Sequence, residues 1–273
     1  MYKVMATDLD GTLLRDDKTI SEETRQALEQ ITQQGVIFLP STGRTHRELP
    51  NALKELPFIS YALCCNGGAV YSFLDDKYIY EDAIPYETAL KVLEFAKMLP
   101  VYETVVVNGA RIVQGDENDN ISEYIKKVAV KGLLPNFTGA HDVKRAFEEK
   151  HMDAQKILLY LAEGADRTDV QETLRCKFPE LLISSSGPLY IEVNTRGVDK
   201  GKALTRFCEL MDISLKDCVA FGDAENDISL LDAAGVAVVV ENGTPETKQH
   251  ADIICPSNND DGVRKAIEQL WKL

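Results

Sequence analysis

The sequence predicts an α/β fold, in which a doubly wound parallel sheet forms a core that carries an inserted α+β domain. Three observations support this prediction. Short apolar strands alternate with amphipathic helices at both ends of the chain, acidic or small polar residues directly follow several of those strands, and the middle of the chain changes to paired strands. Such alternation is typical of a parallel sheet with helices on both faces.

The N-terminal part begins with a strand that we expect near Lys3–Thr7. A helix should run from Ser21, as its N-cap, to Gln34, and Gly35 should end it. The other elements expected here are strand Val36–Leu39, helix Thr45–Leu56, strand Tyr61–Cys64 and a hairpin with arms Tyr71–Ser72 and Tyr78–Tyr80.

The C-terminal part returns to the same alternation, starting with an amphipathic helix at Lys200. Its other expected elements are strand Cys218–Phe221, a helix, strand Val236–Val240, a helix, strand Ile253–Cys255 and a closing helix. Residues 1–83 and 194–273 are therefore predicted to form one Rossmann-like core, and open α/β sheets bind ligands at the carboxyl ends of their strands.

The middle of the chain, residues 84–193, is predicted to be a separate inserted domain. Asn108-Gly109 suits a type I′ turn between strands Val101–Val107 and Arg111–Gln114. The other expected elements are helix Pro85–Leu99, helix Ser122–Lys131, a loop over Leu133–Gly139, helix Asp142–Lys150, strand Lys156–Leu161, helix Thr168–Phe178 and strands Leu181–Ser184 and Tyr190–Val193.

Composition and charge exclude several classes of partner. The 273 residues carry a formal net charge of −14, which argues against binding to nucleic acid or to an anionic membrane. The longest apolar run, Ala233–Val240, is too short to span a bilayer. The six cysteines have no metal-ligand spacing, and the first strand leaves no room for a signal peptide, so we expect a cytoplasmic protein with reduced thiols, as a monomer or small homo-oligomer.

Two carboxylates, Asp8 and Asp10, follow the first strand. Residues two apart in an extended segment point into the same space, where two carboxylates repel unless a cation lies between them or one is protonated. The pair suits a divalent metal and acid/base chemistry. A solvated Asp-Gly turn is the plain alternative. A calcium loop does not fit, because its twelfth position counted from Asp8 is Thr19 rather than glutamate.

A second acidic cluster follows the strand that ends near Phe221. Asp223 and Asp227 are four residues apart and would share a face of the strand-to-helix turn. Capping of the next helix by Asp223 or Asn226 is the alternative. Capping alone does not need so many acidic groups, and their mutual repulsion indicates a cation.

Two further features suit an anion. Ser41-Thr42-Gly43-Arg44 follows a strand and precedes a predicted helix, where small residues let backbone N–H groups approach a phosphate, although ordinary capping gives the same pattern. Lys200 stands in the first turn of a helix, where a cation is mildly unfavourable against the helix dipole. An anionic partner explains that position better than solvent does.

These motifs, in this order and spacing, resemble the haloacid dehalogenase-like (HAD) phosphatases, and more narrowly their Cof-type sugar-phosphatase branch. The matching segments are Asp8-Leu-Asp-Gly-Thr, Ser41-Thr42-Gly43-Arg44, Lys200 and Gly222–Asp227, with support from Asn66-Gly67-Gly68, Glu192–Gly201 and Ser257–Val263. The chain departs from the family pattern at Val238–Gly243.

The resemblance implies a magnesium-dependent hydrolase of small phosphomonoesters, with sugar phosphates as the expected substrates and an aspartyl-phosphate intermediate. It implies that Asp8 attacks phosphorus and that Asp10 serves as acid and then base. The other implied roles are phosphoryl binding by Thr42, Gly43 and Lys200, and phosphate or substrate contact by Arg44, Asn66 and Asn226. The implied Mg²⁺ site consists of Asp8, the Asp10 carbonyl and Asp223, with Asp227 ordering the waters of the metal. For Asn66 and Arg44, a turn asparagine and a surface arginine remain the alternatives.

Two other functions stay open on the sequence. A phosphomutase would use the same aspartate but pass the phosphoryl group to a second sugar, whereas a non-catalytic phospholigand-binding protein would not need both Asp8 and Asp10. The resemblance also implies that residues 84–193 form a cap domain, and we expect this cap to select substrates. Its two connections, near Asp82–Pro85 and Asn194–Gly197, would permit hinge motion.

Overall fold

The computed structural model of the protein describes residues 2–115, 125, 137–185 and 187–273. Within these residues the strands are β1 (Val4–Thr7), β2 (Ile37–Pro40), β3 (Tyr61–Cys64), β4 (Ala69–Ser72), β5 (Lys77–Glu81), β6 (Val101–Val107), β7 (Ala110–Gln114), β8 (Phe137–Ala140), β9 (Lys156–Leu161), β10 (Leu181–Ser184), β11 (Tyr190–Thr195), β12 (Cys218–Gly222), β13 (Val236–Val240) and β14 (Ile253–Cys255). The α-helices are α1 (Glu22–Gln33), α2 (Asn51–Lys54), α3 (Tyr86–Ala96), α4 (Val143–Glu148), α5 (Arg167–Lys177), α6 (Lys200–Met211), α7 (Ile228–Ala233) and α8 (Gly262–Trp271). Short 3-10 helices cover His46–Glu48, Cys65–Gly67, Leu215–Asp217, Glu225–Asp227, Thr247–His250 and Asn258–Asp260.

The chain divides into two compact units. Unit 1 contains Met1–Gly43, Leu49–Tyr80 and Asp199–Leu273, and unit 2 contains Arg44–Glu48 and Glu81–Val198. The domain limits expected from the sequence, residues 84–193 for the insertion, remain a prediction, as does its role in substrate selection. None of the helices that the structure describes is both long enough and apolar enough to cross a membrane.

Unit 1 is built on a parallel sheet with the strand order β14-β13-β12-β1-β2. Side chains alternate along β1, so Met5 packs on one side with the apolar faces of α1 and α8, whereas Val4 and Ala6 pack on the other side with α6 and α7. Helices therefore cover both faces, and the predicted doubly wound α/β core is confirmed.

Two helices expected in the N- and C-terminal parts of the chain are wrong. Over Thr45–Leu56 the structure has a 3-10 helix and then the four-residue α2, because Pro50 cannot donate an N–H and disfavours helical geometry at the preceding residue. Between β13 and β14 only the 3-10 helix Thr247–His250 forms, since Gly243 and Pro245 occupy the first half of that connection. The expected hairpin is longer than predicted and belongs to an antiparallel sheet in the order β3-β4-β5.

Unit 2 is built on a sheet with the order β10-β11-β9-β6-β7-β8, in which β7 and β8 are parallel. Asn108 and Gly109 have φ angles of 47° and 73°, so the predicted type I′ hairpin between β6 and β7 is confirmed. The loop expected over Leu133–Gly139 is wrong from Phe137 onwards, where β8 pairs with β7. The helix expected over 122–131 lies outside the described residues except for Ile125.

A buried ion pair ties the segment Arg44–Glu48 to the rest of unit 2. Arg111 is 1% exposed, and its Nε and Nη2 atoms donate to the carboxylate of Glu48, with 3.1 Å between Nη2 and Oε2. The Glu48 carboxylate also accepts from the Thr45 N–H at 3.0 Å, and the Thr45 hydroxyl donates to the Gly109 carbonyl at 3.0 Å. Hydrogen bonds at Thr45 and at Glu48 therefore fix the segment to Gly109 and Arg111.

A close approach between α6 and α7 gives a stability prediction. A Cβ atom on Gly201 would lie 2.1 Å from the Ser229 carbonyl oxygen, so the backbones must separate to accept a side chain. Alanine is favoured over glycine in a helix by about 1 kcal/mol. Overpacking costs about 1–3 kcal/mol. We therefore expect Gly201→Ala to lower the urea midpoint of unfolding. Circular dichroism would monitor the unfolding.

The matched control for this prediction is Leu210→Ala on the same helix, at a side chain that is 55% exposed. That change should leave the midpoint nearly unaltered. A midpoint for Gly201→Ala equal to or above that of the parent protein would contradict the close contact between the two helices.

Candidate active site

The candidate site lies at the carboxyl ends of the strands of unit 1. Asp8 directly follows β1, Asp223 directly follows β12, and Ser41 and Thr42 follow β2. Parallel strands place these ends at one edge of the sheet, which is where open α/β sheets bind ligands. The Asp8 N–H donates to the Phe221 carbonyl at 3.0 Å, which keeps the first two of these segments side by side.

Lys200 is the centre of the charged cluster at this edge. Its side chain is fully buried, and its Nζ donates to Asp8 Oδ1 at 2.5 Å and to Asp227 Oδ1 at 2.6 Å. The helix that begins at Lys200 is capped by Asp199, whose carboxylate accepts from the Lys202 N–H at 2.7 Å. The cap therefore fixes the first turn of α6 and directs the ammonium group toward the two carboxylates.

Asp227 uses both carboxylate oxygens. Oδ1 accepts from Lys200, while Oδ2 accepts from the N–H groups of Asp223 and Ala224, each at 3.0 Å. The Asp227 carboxylate therefore holds the turn that precedes it, whereas no side chain caps α7 itself, so capping of that helix by Asp223 or Asn226 is not found. One side chain thus carries both the bonds to this turn and the ion pair with Lys200.

Asp223 completes a group of three carboxylates. Ligand-type oxygen atoms of Asp8, Asp223 and Asp227 lie within 4.8 Å of one another. The Thr12 hydroxyl donates to Asp223 Oδ1 at 2.6 Å, and a Cβ on Gly11 would lie 2.7 Å from Asp223 Oδ2. Gly11 has φ of +94°, so both its conformation and its lack of a side chain suit this close approach.

Burial and charge shift the proton affinities of this cluster. Burial raises the pKa of Asp8 to about 8, against the opposing effect of Lys200, and the carboxylates of Asp227 and Asp223 add to the rise. Burial also raises the pKa of Asp223. For Lys200, burial alone would lower the pKa, but the carboxylates of Asp227 and Asp8 outweigh it and the pKa is raised.

The donor set of the cluster fits a hard divalent cation. Three carboxylates face one ammonium, so two negative charges are unbalanced when all groups are ionised. Oxygen ligands of this kind suit Mg²⁺, which takes few carboxylates and keeps several waters. Asp8, Asp223 and Asp227 can hold such an ion.

Asp10 differs from the other predicted carboxylates. Its side chain forms an ion pair with Lys18 at 2.8 Å and is not part of the three-carboxylate group. The expected approach of the Asp8 and Asp10 carboxylates into one space therefore stays a prediction. The expected contribution of Asp10 to the metal is through its main-chain carbonyl, and that remains a prediction.

The residues expected to bind phosphate form a second network in unit 1. The Asn66 N–H donates to the Thr42 carbonyl at 3.0 Å, and Asn226 Nδ2 donates to Asn66 Oδ1 at 3.3 Å. A Cβ on Gly43 would lie 3.0 Å from Asn66 Oδ1, so Gly43 packs against the same amide. A Cβ on Gly67 would lie 2.9 Å from the main-chain nitrogen of Lys200, which places this network beside the start of α6.

Arg44 was also expected to contact phosphate or substrate. It belongs to unit 2, where it is 5% exposed and donates from Nη1 to the Glu48 carbonyl at 3.4 Å. The alternative of a surface arginine is therefore wrong, because the side chain is buried. Its expected contact with phosphate remains a prediction.

Two residues beside the site had no role in the sequence-based assignment. Thr12 holds Asp223, and its signal was the hydroxyl residue that follows Asp8-Leu-Asp-Gly. Asn242 donates to the Gly11 carbonyl at 2.7 Å and accepts from the Asn258 N–H at 2.9 Å. Asn242 therefore fixes the loop after β1. The sequence signal for it was an asparagine inside Val238–Gly243, the segment where the chain departs from the family pattern.

Comparisons with known proteins agree with this geometry. The family model described as haloacid dehalogenase-like hydrolase matches residues 5–267. A 5-amino-6-(5-phospho-D-ribitylamino)uracil phosphatase of Bacillus subtilis is 30% identical over 99% of this chain and 96% of its own length. A pyridoxal phosphate phosphatase of Escherichia coli is 26% identical, with 97% of each chain covered.

Among solved structures, a protein from Thermotoga maritima is 28% identical and superposes with a TM-score of 0.85, covering 98% of this chain and 97% of that one. The expected family and enzyme class are confirmed. This chain belongs to the haloacid dehalogenase-like hydrolases, and the named phosphatases among its relatives identify it as a phosphoric monoester hydrolase.

Proposed function

We propose that the protein is a Mg²⁺-dependent phosphatase that hydrolyses small phosphomonoesters, sugar phosphates in particular, through an aspartyl-phosphate on Asp8. The observation that carries this proposal is the contact of Asp8 with the buried Lys200 ammonium inside a group of three carboxylates. A carboxylate oriented by an ammonium at a strand end can act as a nucleophile, and covalent catalysis divides one slow hydrolysis into two faster steps.

In the first step an Asp8 oxygen attacks phosphorus, and the bond from phosphorus to the leaving-group oxygen breaks. Asp10 donates its proton to the departing alkoxide. Lys200, the Thr42 hydroxyl and the Gly43 N–H bind the phosphoryl oxygens, where negative charge must be stabilised. For this step the Asp10 carboxyl has to leave the Lys18 ammonium that it contacts in this structure.

In the second step the Asp10 carboxylate takes a proton from water. The water oxygen attacks phosphorus, the bond to Asp8 breaks, and inorganic phosphate is released. A bound Mg²⁺, held by Asp8, Asp223, Asp227 and the Asp10 carbonyl, would supply positive charge beside the phosphoryl oxygens. Lys200 supplies positive charge next to Asp8 from within the protein.

The relatives support the proposed substrate class, and the cysteines support the proposed cytoplasmic location. The relatives named above are phosphatases of 5-amino-6-(5-phospho-D-ribitylamino)uracil and of pyridoxal phosphate, both small phosphorylated metabolites. The predicted roles in chemistry, apart from that of Arg44, fall on residues of unit 1, which leaves residues 84–193 to select the leaving group. The six cysteines are all free thiols, in keeping with a cytoplasmic enzyme.

Replacing Asp8 tests the nucleophile. Asp8→Asn keeps the shape of the side chain but removes the carboxylate, so we expect phosphate release to fall at least about 100-fold while the protein stays folded. The measurement is phosphate release from p-nitrophenyl phosphate and from ribose 5-phosphate with no added acceptor. A variant that keeps more than a few per cent of the parent rate would remove Asp8 from this role.

The control for Asp8→Asn is Asp232→Asn, at a carboxylate whose side chain is 56% exposed. It should keep the parent rate. Phosphate released without an acceptor also separates a phosphatase from a phosphomutase, since a mutase would need a second sugar to complete its cycle.

Metal removal tests the cation site. We expect a chelator to stop turnover and Mg²⁺ to restore it, because three carboxylates share the site. Mg²⁺ should also raise the melting temperature of the parent protein, since a ligand of the folded state stabilises it. In Asp223→Asn this rise should be reduced by more than half, whereas Asp232→Asn should keep it. Full activity in excess chelator after dialysis would contradict metal dependence.

The raised pKa of Asp8 gives a pH prediction for the metal-free protein. The pKa is raised from 3.8 to about 8, so the folded state holds a proton that the unfolded chain has already released. The free energy of unfolding should therefore fall as pH rises from about 4 to 8, by up to about 1.4 kcal/mol per pH unit for one proton. Urea midpoints at pH 5, 6, 7 and 8 in chelator measure this slope.

Asp8→Asn should reduce that slope without abolishing it, because burial also raises the pKa of Asp223. Saturating Mg²⁺ should flatten it in the parent protein. An equal slope in the parent and in Asp8→Asn would show that Asp8 does not carry the proton.

A further inference from the structure

Two cysteines in the core of unit 1 take no part in the reaction described above. Cys208 lies near the end of α6, and Cys218 is the first residue of β12. Cys208 is 1% exposed and Cys218 is 0% exposed. Their sulfur atoms are 3.4 Å apart, which is close enough for one thiol to donate a hydrogen bond to the other. The helix and the strand therefore meet through a direct contact between two thiols.

This contact distinguishes the pair from ordinary buried cysteines. A free cysteine in a core often acts only as a small apolar side chain. Cys208 and Cys218 instead place sulfur against sulfur within one apolar cluster. A disulfide bond is about 2.05 Å long, so the two sulfurs have to approach each other by about 1.4 Å to form one.

The connection from α6 to β12 covers the pair. The Ile213 N–H donates to the Cys208 carbonyl at 2.9 Å, and Cys218 Sγ lies 3.7 Å from the Ser214 carbonyl oxygen. Ser214 and Lys216 are exposed, so the pair lies directly beneath a surface segment. Segments of this kind open locally without unfolding of the whole domain, which would admit a small oxidant to the sulfurs.

We propose that Cys208 and Cys218 are a redox modification site, which forms a reversible disulfide when the protein meets a peroxide. The bond joins the end of α6 to the start of β12. Because α6 begins at Lys200 and β12 leads directly to Asp223, the disulfide fastens together two elements that carry the charged cluster. Disulfides of cytosolic proteins are usually transient bonds of this type.

The reaction balances in two steps. The Cys208 thiolate attacks one oxygen of hydrogen peroxide, the O–O bond breaks, hydroxide leaves, and Cys208 becomes a sulfenic acid. The Cys218 sulfur then attacks the Cys208 sulfur, the S–O bond breaks, and a second hydroxide leaves. The protons of the two thiols convert both hydroxides to water. Each sulfur loses one electron and the peroxide gains two, and a small thiol reverses the bond by exchange.

The two sulfurs differ in proton affinity, which gives them different roles. The hydrogen bond from Cys218 lowers the pKa of the Cys208 thiol. The contact with Cys208, together with burial, raises the pKa of the Cys218 thiol. The thiolate is the reactive form of cysteine, so Cys208 is the sulfur that peroxide attacks and Cys218 is the one that resolves the sulfenic acid.

The test treats the folded parent protein with hydrogen peroxide, blocks the remaining thiols with iodoacetamide in denaturant and digests the protein with trypsin. Cleavage after Arg206, Lys216 and Lys248 places the two cysteines in separate peptides, residues 207–216 and 217–248. We expect mass spectrometry to find these peptides as one linked species that separates in dithiothreitol. Recovery of Cys208 and Cys218 mainly as blocked thiols, as sulfinic acids or in links to other cysteines would overturn the proposal.

Three variants control for the identity of the pair. Cys208→Ala and Cys218→Ala should each abolish the linked species, whereas Cys255→Ala, at a buried cysteine of another apolar cluster, should keep it. In Cys218→Ala the sulfenic acid on Cys208 cannot be resolved, so dimedone should label Cys208. In Cys208→Ala it should leave Cys218 unlabelled. A linked peptide that persists in either variant, or dimedone labelling of Cys218 alone, would contradict the assigned roles.

The disulfide should also change stability. It closes a short loop, since the two cysteines are ten positions apart, and this restricts the unfolded chain. We expect the urea midpoint of the peroxide-treated parent to exceed that of the same sample in dithiothreitol by about 0.5 M. The difference should vanish in Cys218→Ala. An unchanged or lower midpoint in the linked protein would show that the bond does not fasten α6 to β12. None of these measurements depends on turnover, so their failure would leave the proposed phosphatase function untouched.

Discussion

A lysine with no exposed surface, Lys200, contacts Asp8 and Asp227, residues that lie 192 and 27 positions away in the chain. An unpaired ammonium could not be buried in this way, and two carboxylates could not approach each other so closely without it. The contact therefore requires that the start of α6, the end of β1 and the turn before α7 meet at one place. Gly201 and Gly222 permit this meeting, because a Cβ on either would overlap Ser229 or Asp227.

The same contact leaves the cluster with excess negative charge. One ammonium cannot balance three carboxylates, and the raised pKa values of Asp8 and Asp223 express that imbalance. A bound cation would relieve part of it and would also offset the negative charge of a phosphoryl group near Lys200. The protein thus holds its charged groups in an arrangement that ligands complete, and the Thr12 hydroxyl and Asn242 amide keep the acidic loop in place meanwhile.

Sequence reasoning predicted the α/β core and the β6–β7 hairpin because local patterns determine them: strand ends, a capping Ser21 and the Asn108-Gly109 turn each act over a few residues. It also placed Asp8 and Asp223 at strand carboxyl ends and Lys200 at the start of a helix. It failed where one residue overrides a pattern, as Pro50 does in the expected helix Thr45–Leu56. The pairing of Asp10 with Lys18 depends on the path of a loop, and the pairing of Glu48 with Arg111 depends on how segments 63 positions apart meet. Neither can be read from a local window.

The segment Arg44–Glu48 follows the Thr42-Gly43 turn of unit 1 but belongs to unit 2, so unit 2 is discontinuous in the chain. This affects any attempt to exchange caps between relatives. Transplanting residues 81–198 alone would leave behind Glu48, the carboxylate that the buried Arg111 contacts. Breaking a buried ion pair costs about 3–5 kcal/mol, a large share of the stability of a small domain. The part to exchange is thus Glu81–Val198 together with the five residues Arg44–Glu48, which end more than thirty positions earlier.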